Sequence, residues 1–422
     1  MVRAWCLLLA SGALWAQQYD PKQPLTRETV LLGRIQNVVS ENLSHLPNFA
    51  CVETIERSQR TPSAKRYQLV DNVRLEVALV SGKELYAWPG ASKFEEQDLR
   101  DMVGGAVGTG DFALHAKSIY LSGRAKFTYE GEEEIAGRKT HKFHYRVPMD
   151  GSGYLMRIEK AEGMVGYQGS VWNDTASLEM VRIEMTIDEI PPNIPLKEGH
   201  KTIEYVPVDI GGTRYVLPAS MEMTVVTLNG GESRNRAVFT GCKQYTGEST
   251  LIFDEPPPDE KPKAAAVTVT LPEGLSVSMK LMKTLDLAKS AMGDPVVFEV
   301  SKDASKGGQV WLPKGAQVEL RLDQVVCRDY PSGHCFAALA PGRFTYGNKE
   351  GAFRASLVQP DLTRTLEMMM RNVRPELRML PVEMGQAAPG SEFVLVNGKR
   401  GKLSSGYGTT WRTLEARGEK QP

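Results

Sequence analysis

The 422-residue chain has no net charge, because 51 lysines and arginines balance 51 aspartates and glutamates. That excludes the basic footprint that nucleic-acid binding demands. No polybasic run is present to draw the chain to an anionic membrane surface. Histidine is scarce, at six residues. HExxH, CxxC, GxSxG and the Gly-Lys-Ser/Thr end of a phosphate loop are all missing. No catalytic residue, metal ligand or cofactor is therefore read from the sequence. Long apolar runs are also missing beyond the N-terminus, so no transmembrane span is expected in the mature chain.

What is present begins with the leader. Residues 1–16 carry one positive charge at Arg3 and an apolar run from Ala4 to Trp15. This is the form of a secretory signal peptide ending at Ala16, and it predicts a periplasmic or secreted protein. Cys6 lies inside the run without the small-residue context of a lipoprotein signal. Four cysteines remain: Cys51, Cys242, Cys327 and Cys335. Four allow three connectivities. The economical one pairs Cys51 with Cys242 and Cys327 with Cys335, within separate parts of the chain.

Those parts are divided at residues 254–266, rich in proline and charge, which read as an extended linker. Residues 20–253 form the first expected domain and 267–413 the second, with a tail at 414–422. The first opens with a helix capped by Thr26, whose apolar face carries Val30, Leu31, Ile35, Val38, Val39 and Leu43. Hairpins then follow, turning at Ser81–Gly82–Lys83, with a charge run at the tip from Glu130 to Ile135 in the second, at Asn173–Asp174 and at Gly211–Gly212. Ten or eleven strands are expected, in one large curled antiparallel sheet.

The N-terminal helix, the strand count, a helical stretch between Phe94 and Leu121, and the hairpin from Gly166 to Ile187 ("G-x-V-W-x-D, then V-R-I-E") resemble the half-barrel of LolA and its lipoprotein-sorting relatives. The resemblance implies a concave sheet and helical lid around an apolar cavity. Its implied lining is Val73, Leu75, Val77, Phe143, Tyr145, Val181, Ile183 and Met185. Gly104, Gly105, Gly108 and Gly110 would then be the lid hinge. They are not a phosphate loop, since Asp111 stands where a phosphate would go and no lysine follows. His141 and His144 are three apart in a strand and point to opposite faces, so they cannot share a metal.

The second part holds an internal repeat. "LPEGLSVSMKL" at 271–281 recurs as "LPKGAQVELRL" at 312–322. Each Pro-x-Gly turn leads into a strand, and six to eight strands predict a small closed barrel. The repeat resembles the periplasmic barrel of TrbI-type secretion scaffold proteins. Met368, Met369, Met370, Met379 and Met384 form a methionine-rich segment that could meet an envelope protein. The combined expectation is mainly β with a few helices: a half-barrel with a helical lid, then a small barrel. The function read from it is an exported, non-catalytic protein binding an apolar ligand, a lipid or a lipidated partner. The alternatives are a structural envelope scaffold without a cavity, and a secreted hydrolase with an undetected carboxylate pair.

Overall fold

A computed structural model describes residues 25–81, 83–91, 94, 99–103, 114–158, 161–245, 266–328, 334–358, 390–396 and 401–415. The chain opens with α1 (Arg27–Ser44). Thr26 caps it, its Oγ1 accepting from Thr29 N at 3.2 Å. Ile35 and Val39 are buried on its inner face, while Val30, at the outer edge of the expected stripe, is 48% exposed.

Strands follow as β1 (Phe49–Arg60), β2 (Gln68–Val80) and β3 (Lys83–Ala87). Two short helices, α2 (Leu99–Val103) and α3 (Leu114–Leu121), interrupt them. Next come β4 (Lys126–Ile135), β5 (Arg138–Val147), the single turn α4 (Met149–Ser152), and a small hairpin, β6 (Leu155–Ile158) with β7 (Ala161–Met164), that the alternation did not announce. The series closes with β8 (Gly166–Asp174), β9 (Met180–Asp188), β10 (Leu196–Ile210), β11 (Thr213–Thr227) and β12 (Glu232–Gln244). Ten of these strands form one antiparallel sheet in the order β3-β2-β1-β12-β11-β10-β9-β8-β5-β4. The sheet is long and curled, and its buried face holds the larger core of the protein. The first and last long strands meet at β1 and β12, which is why Cys51 and Cys242, 191 residues apart, can form a disulfide.

The second sheet is built from β13 (Val267–Thr268), β14 (Ser276–Leu281), β16 (Pro295–Val300), β19 (Gln317–Arg328), β20 (His334–Tyr346), β21 (Lys349–Phe353), β22 (Ala355–Leu357), β23 (Glu392–Val396) and β25 (Gly408–Thr413). Short pairs, β15 (Leu285–Asp286) with β24 (Lys402–Leu403) and β17 (Ala304–Lys306) with β18 (Gln309–Leu312), lie beside it. β21 pairs with β20 and β22 pairs with β25, and only Arg354 separates β21 from β22. One bent strand thus joins both sides of the sheet and wraps it around its core.

The repeat is visible in this geometry. Gly274 and Gly315 both take positive φ, +70° and +88°, at the turns opening β14 and β19. Leu271, Val277 and Leu281 are buried, and so are their counterparts Leu312, Val318 and Leu322. β14 and β19 flank β16 on either side. Cys327 and Cys335 are direct partners in the β19–β20 register. That places their backbones opposite one another, as the expected pairing requires.

The two sheets are stitched together at β2. β3 pairs only with Glu76–Val80, leaving the Asn72–Arg74 edge of β2 open. Met292 fills it: its N–H donates to Asn72 O and its carbonyl accepts from Arg74 N, both at 2.7 Å. The next residue, Gly293, donates to Leu322 O of β19 at 2.7 Å. Arg74 pairs with Asp294 across the junction, and the Arg321 guanidinium lies 4.4 Å over the Trp88 ring. A cleft of about 310 Å³ remains there, lined by Trp88, Gly90, Gly293, Glu319, Arg321 and Arg343.

The leader 1–16, nearly all of the 254–266 linker, the hinge glycines Gly104, Gly105, Gly108 and Gly110, and the methionine-rich segment lie outside the described residues.

Candidate functional site: the concave face of the first sheet

Register fixes which side chains stand side by side, because alternate residues share a face. One row crosses nine strands from β2 to β4: Val73, Ile55, Ala237, Met221, Ile203, Ile183, Val171, Phe143 and Tyr129. Apart from the tyrosine hydroxyl it is wholly apolar. All but Tyr129 are less than 5% exposed. The row beside it differs. It runs Asp71, Arg57, Asn235, Met223, Lys201, Met185, Gly169, Tyr145 and Phe127. Asp71, Arg57 and Asn235 stand together at one end of it, and Lys201 stands between Met223 and Met185.

Helices cover this face. Ile35 and Val39 of α1, Leu99 and Val103 of α2, and Ala116, Ile119 and Tyr120 of α3 all join the same core. Short helices cannot hold themselves in place by propensity alone, and side chains from the sheet fasten these. Arg57 donates to both carboxylate oxygens of Asp71, at 2.7 and 2.5 Å, and to Val103 O of α2 at 3.2 Å. Lys201 Nζ donates to His115 Nε2 of α3 at 3.0 Å. Ser118 and Tyr167 share a hydrogen bond of 2.7 Å, and Tyr120 donates to Asn173 Oδ1 at 2.8 Å. Gln36 of α1 donates to Tyr120 O at 2.9 Å. The polar row is thus the fastening row: Arg57 reaches the end of α2, and Lys201 reaches the start of α3.

The interior is dry enough to shift phenols. Burial pushes the Tyr145 hydroxyl well above its usual range, and raises Tyr120 and Tyr167 despite opposing hydrogen bonds from Asn173 and Ser118. These hydroxyls stay protonated at neutral pH, and Tyr120 and Tyr145 donate, to Asn173 Oδ1 and to Glu184 O. Among the described residues, no group of three metal-binding side chains converges, and no helix is long and apolar enough to cross a membrane.

Of the expected lining, Val73, Leu75, Val77, Phe143, Tyr145, Ile183 and Met185 all belong to this core. Val181 does not. The β8–β9 register slips between Trp172 and Asn173, so Asn173 pairs with Met180 while Trp172 pairs with Arg182. Val181 is the extra residue of that bulge, and it packs with Ile135 and Trp172 in a separate cluster. The turn that begins beyond Asn173–Asp174 carries the same irregularity. Asp174 remains in β8, and its Oδ1 accepts from Ala176 N and Ser177 N.

Sequence reasoning passed over Glu53, Arg57, His115, Lys201 and Asn235, each buried to 7% exposure or less. The signal was present as broken alternation. Glu53 and Arg57 share the parity of Cys51 and Ile55, and Lys201 that of Ile203 and Tyr205.

No family model matches the chain, and no curated protein matches it. Among the solved structures that it resembles, three cover about half of it. A domain assigned to outer-membrane lipoprotein sorting from Vibrio parahaemolyticus is 14% identical, over 51% of this chain and 94% of its own, at TM-score 0.30. A DUF1329 family protein from Desulfovibrio piger is 10% identical, over 53% and 97%, at TM-score 0.28. The lipoprotein LppX of Mycobacterium tuberculosis is 10% identical, over 53% and 100%, at TM-score 0.20. At these values no ligand or activity is carried over to this chain.

Proposed function

We propose that residues 20–253 form a non-catalytic carrier domain of the cell envelope, which shelters the apolar chain of a lipid or lipidated partner against its concave sheet. The observation that carries this reading is the apolar row from Val73 to Tyr129. It is covered by short helices pinned through side chains, where a sandwich would have a second sheet. Such a cover can leave as a unit, because detaching it breaks a few hydrogen bonds and no strand ladder. The Cys51–Cys242 disulfide fits the oxidising compartment that the leader predicts.

In this reading Gly104, Gly105, Gly108 and Gly110 join the two halves of a movable lid. Residues 267–413 form a barrel that anchors or assembles the carrier, and the Cys327–Cys335 bridge closes its hairpin.

Native protein should carry lipid that organic extraction and mass spectrometry detect. It should also bind a fluorescent long-chain probe. Replacing Gly105 and Gly108 with alanine should slow probe exchange while leaving the sheet folded. A protein that carries no lipid and binds no apolar probe would sink the proposal.

A further inference from the structure

The cleft between the two sheets is lined by a cation with few acceptors. Glu319 and Arg321 alternate with the buried Val318, Leu320 and Leu322, so they stand on the outer face of β19. Lys280, the counterpart of Arg321 in the repeat, is exposed. Arg321 is instead roofed by the first sheet, its guanidinium 4.4 Å from the centre of the Trp88 ring. An indole meets only the face of a guanidinium and leaves the five N–H donors in its plane unused. Among the described residues those donors meet one acceptor, Asp323 Oδ1, 3.4 Å from Nη2. That is longer than the roughly 2.7–2.9 Å of a good charge-assisted bond. Nε is buried and has no hydrogen-bond partner among the described residues. Burial pushes the guanidinium below its usual range, against the pull of Asp323.

We propose that this cleft binds a small ligand with an anionic oxygen group, carboxylate or phosphate, which accepts from the Arg321 guanidinium while the body of the ligand lies beside Trp88 and Pro295. The volume of about 310 Å³ is at the low end of the roughly 300–1,000 Å³ of small-molecule sites, so the ligand is small. Gly90, Gly293 and Gly342 line the space without filling it with side chains. Arg343, the second cation there, is paired with Glu319 Oε1 at 3.2 Å. Glu319 thus offsets one of the two positive charges, and Arg321 does the recognising. Trp88 and Gly90 belong to the first sheet's side of the cleft, Arg321 and Arg343 to β19 and β20. A bound anion therefore bridges the two sheets and stabilises their joint. The site lies apart from the concave face, and it stands or falls independently of the carrier reading.

The test is calorimetric titration of the full protein with three probes that share one ring: benzoate, phenyl phosphate and benzyl alcohol. Wild type should bind one or both anions at least about tenfold more tightly than the alcohol. The two anionic arms report whether carboxylate or phosphate is preferred. Arg321→Gln should erase the preference. Arg321→Lys keeps the charge without the fork or the stack, so it should lose most of the preference, and it serves if the glutamine variant does not fold. Glu319→Gln releases Arg343 and removes a carboxylate from the cleft, so it should tighten both anions. The preferred anion should raise the melting temperature of wild type and leave that of Arg321→Gln unmoved. Failure of both anions to bind, or an alcohol bound as tightly as they are, would overturn the proposal. So would an anion preference that survives in both Arg321 variants, since the anions would then sit elsewhere on the protein.

Discussion

The two sheets bury their polar groups in different places. In the second, apolar residues make up the core cluster, and the buried polar pair Asp323 and Gln324 lies on β19. Two of its buried hydroxyls serve local ends: Thr409 accepts from Trp411 Nε1 at 2.9 Å, and Thr413 accepts from Leu275 N at 2.8 Å. In the first, Glu53, Arg57, Asn235 and Lys201 stand on the inward face of the strands themselves. A core that only has to hold together needs no ions, since apolar residues of similar volume do as well or better. In the first sheet Arg57 and Lys201 hydrogen-bond the covering helices, at Val103 O and at His115 Nε2.

Removing the Cys51–Cys242 bridge is expected to widen this contrast most. The loop it closes spans 191 residues, for which the chain-entropy model gives about 5 kcal/mol. A double alanine variant should lose stability in the first sheet alone. Denaturant unfolding followed separately by Trp172 and Trp411 fluorescence should show two transitions, with only the first moved. Equal loss in both would mean that the sheets unfold as one unit.

Arg57→Met tests the fastening row. Breaking one side of a buried ion pair leaves Asp71, whose side chain is 13% exposed, without its guanidinium. The expected cost is about 4 kcal/mol. Amide exchange should rise in α2 before it rises in β1 or β12. Uniform acceleration across the sheet would show that Arg57 supports the strands and not the cover.

Glu76 sharpens the comparison at the junction. It is 1% exposed, its Oε1 accepts from Gly90 N at 3.1 Å, and its buried Oε2 has no hydrogen-bond partner among the described residues. Desolvation raises its carboxyl from 4.5 to about 7. A raised carboxyl favours the folded state most when protonated. Stability should therefore be greatest below about pH 4.5 and fall as pH rises to about 7, by up to about 3 kcal/mol on this account. Glu76→Gln should flatten that slope and stabilise the protein at pH 8. A slope unchanged in the variant would place its origin elsewhere.

Gly293→Ala is expected to have the smallest effect, and it concerns only the joint. Gly293 has φ +101°, and a Cβ there would sit 2.2 Å from Arg74 O and 2.8 Å from the Trp88 ring. Relief requires the Met292 segment to pull away from β2, at about 2 kcal/mol. Quenching of Trp88 by added iodide should increase while each sheet keeps its own melting behaviour.

The particulars show where the sequence could be read. Thr26, the Gly211–Gly212 turn and the Leu-Pro-x-Gly repeat were legible because capping and positive-φ turns depend on a few neighbouring residues. The parity of Val73, Leu75 and Val77, or of Phe143 and Tyr145, was legible because side chains alternate along any strand. Val181 was misread because a bulge inserts one residue, and no local rule announces it. His115 gave no local signal, because Lys201, to which it hydrogen-bonds, is 86 residues away.

Sequence by itself determined the local alphabet of this protein: the capped helix, the hairpins, the inward stripes, and the two cysteine pairs as an economical option. Tertiary structure decided what distance along the chain conceals. It set strand order, which brings β12 back beside β1, and register, which aligns nine apolar side chains into one row. It also decided that Met292 completes the open edge of β2, and that Lys201 faces a histidine on α3. The reason is that alternation along a strand is a local steric fact. The identity of a strand's neighbours is settled only when the whole curled sheet finds the pairing that buries its apolar face.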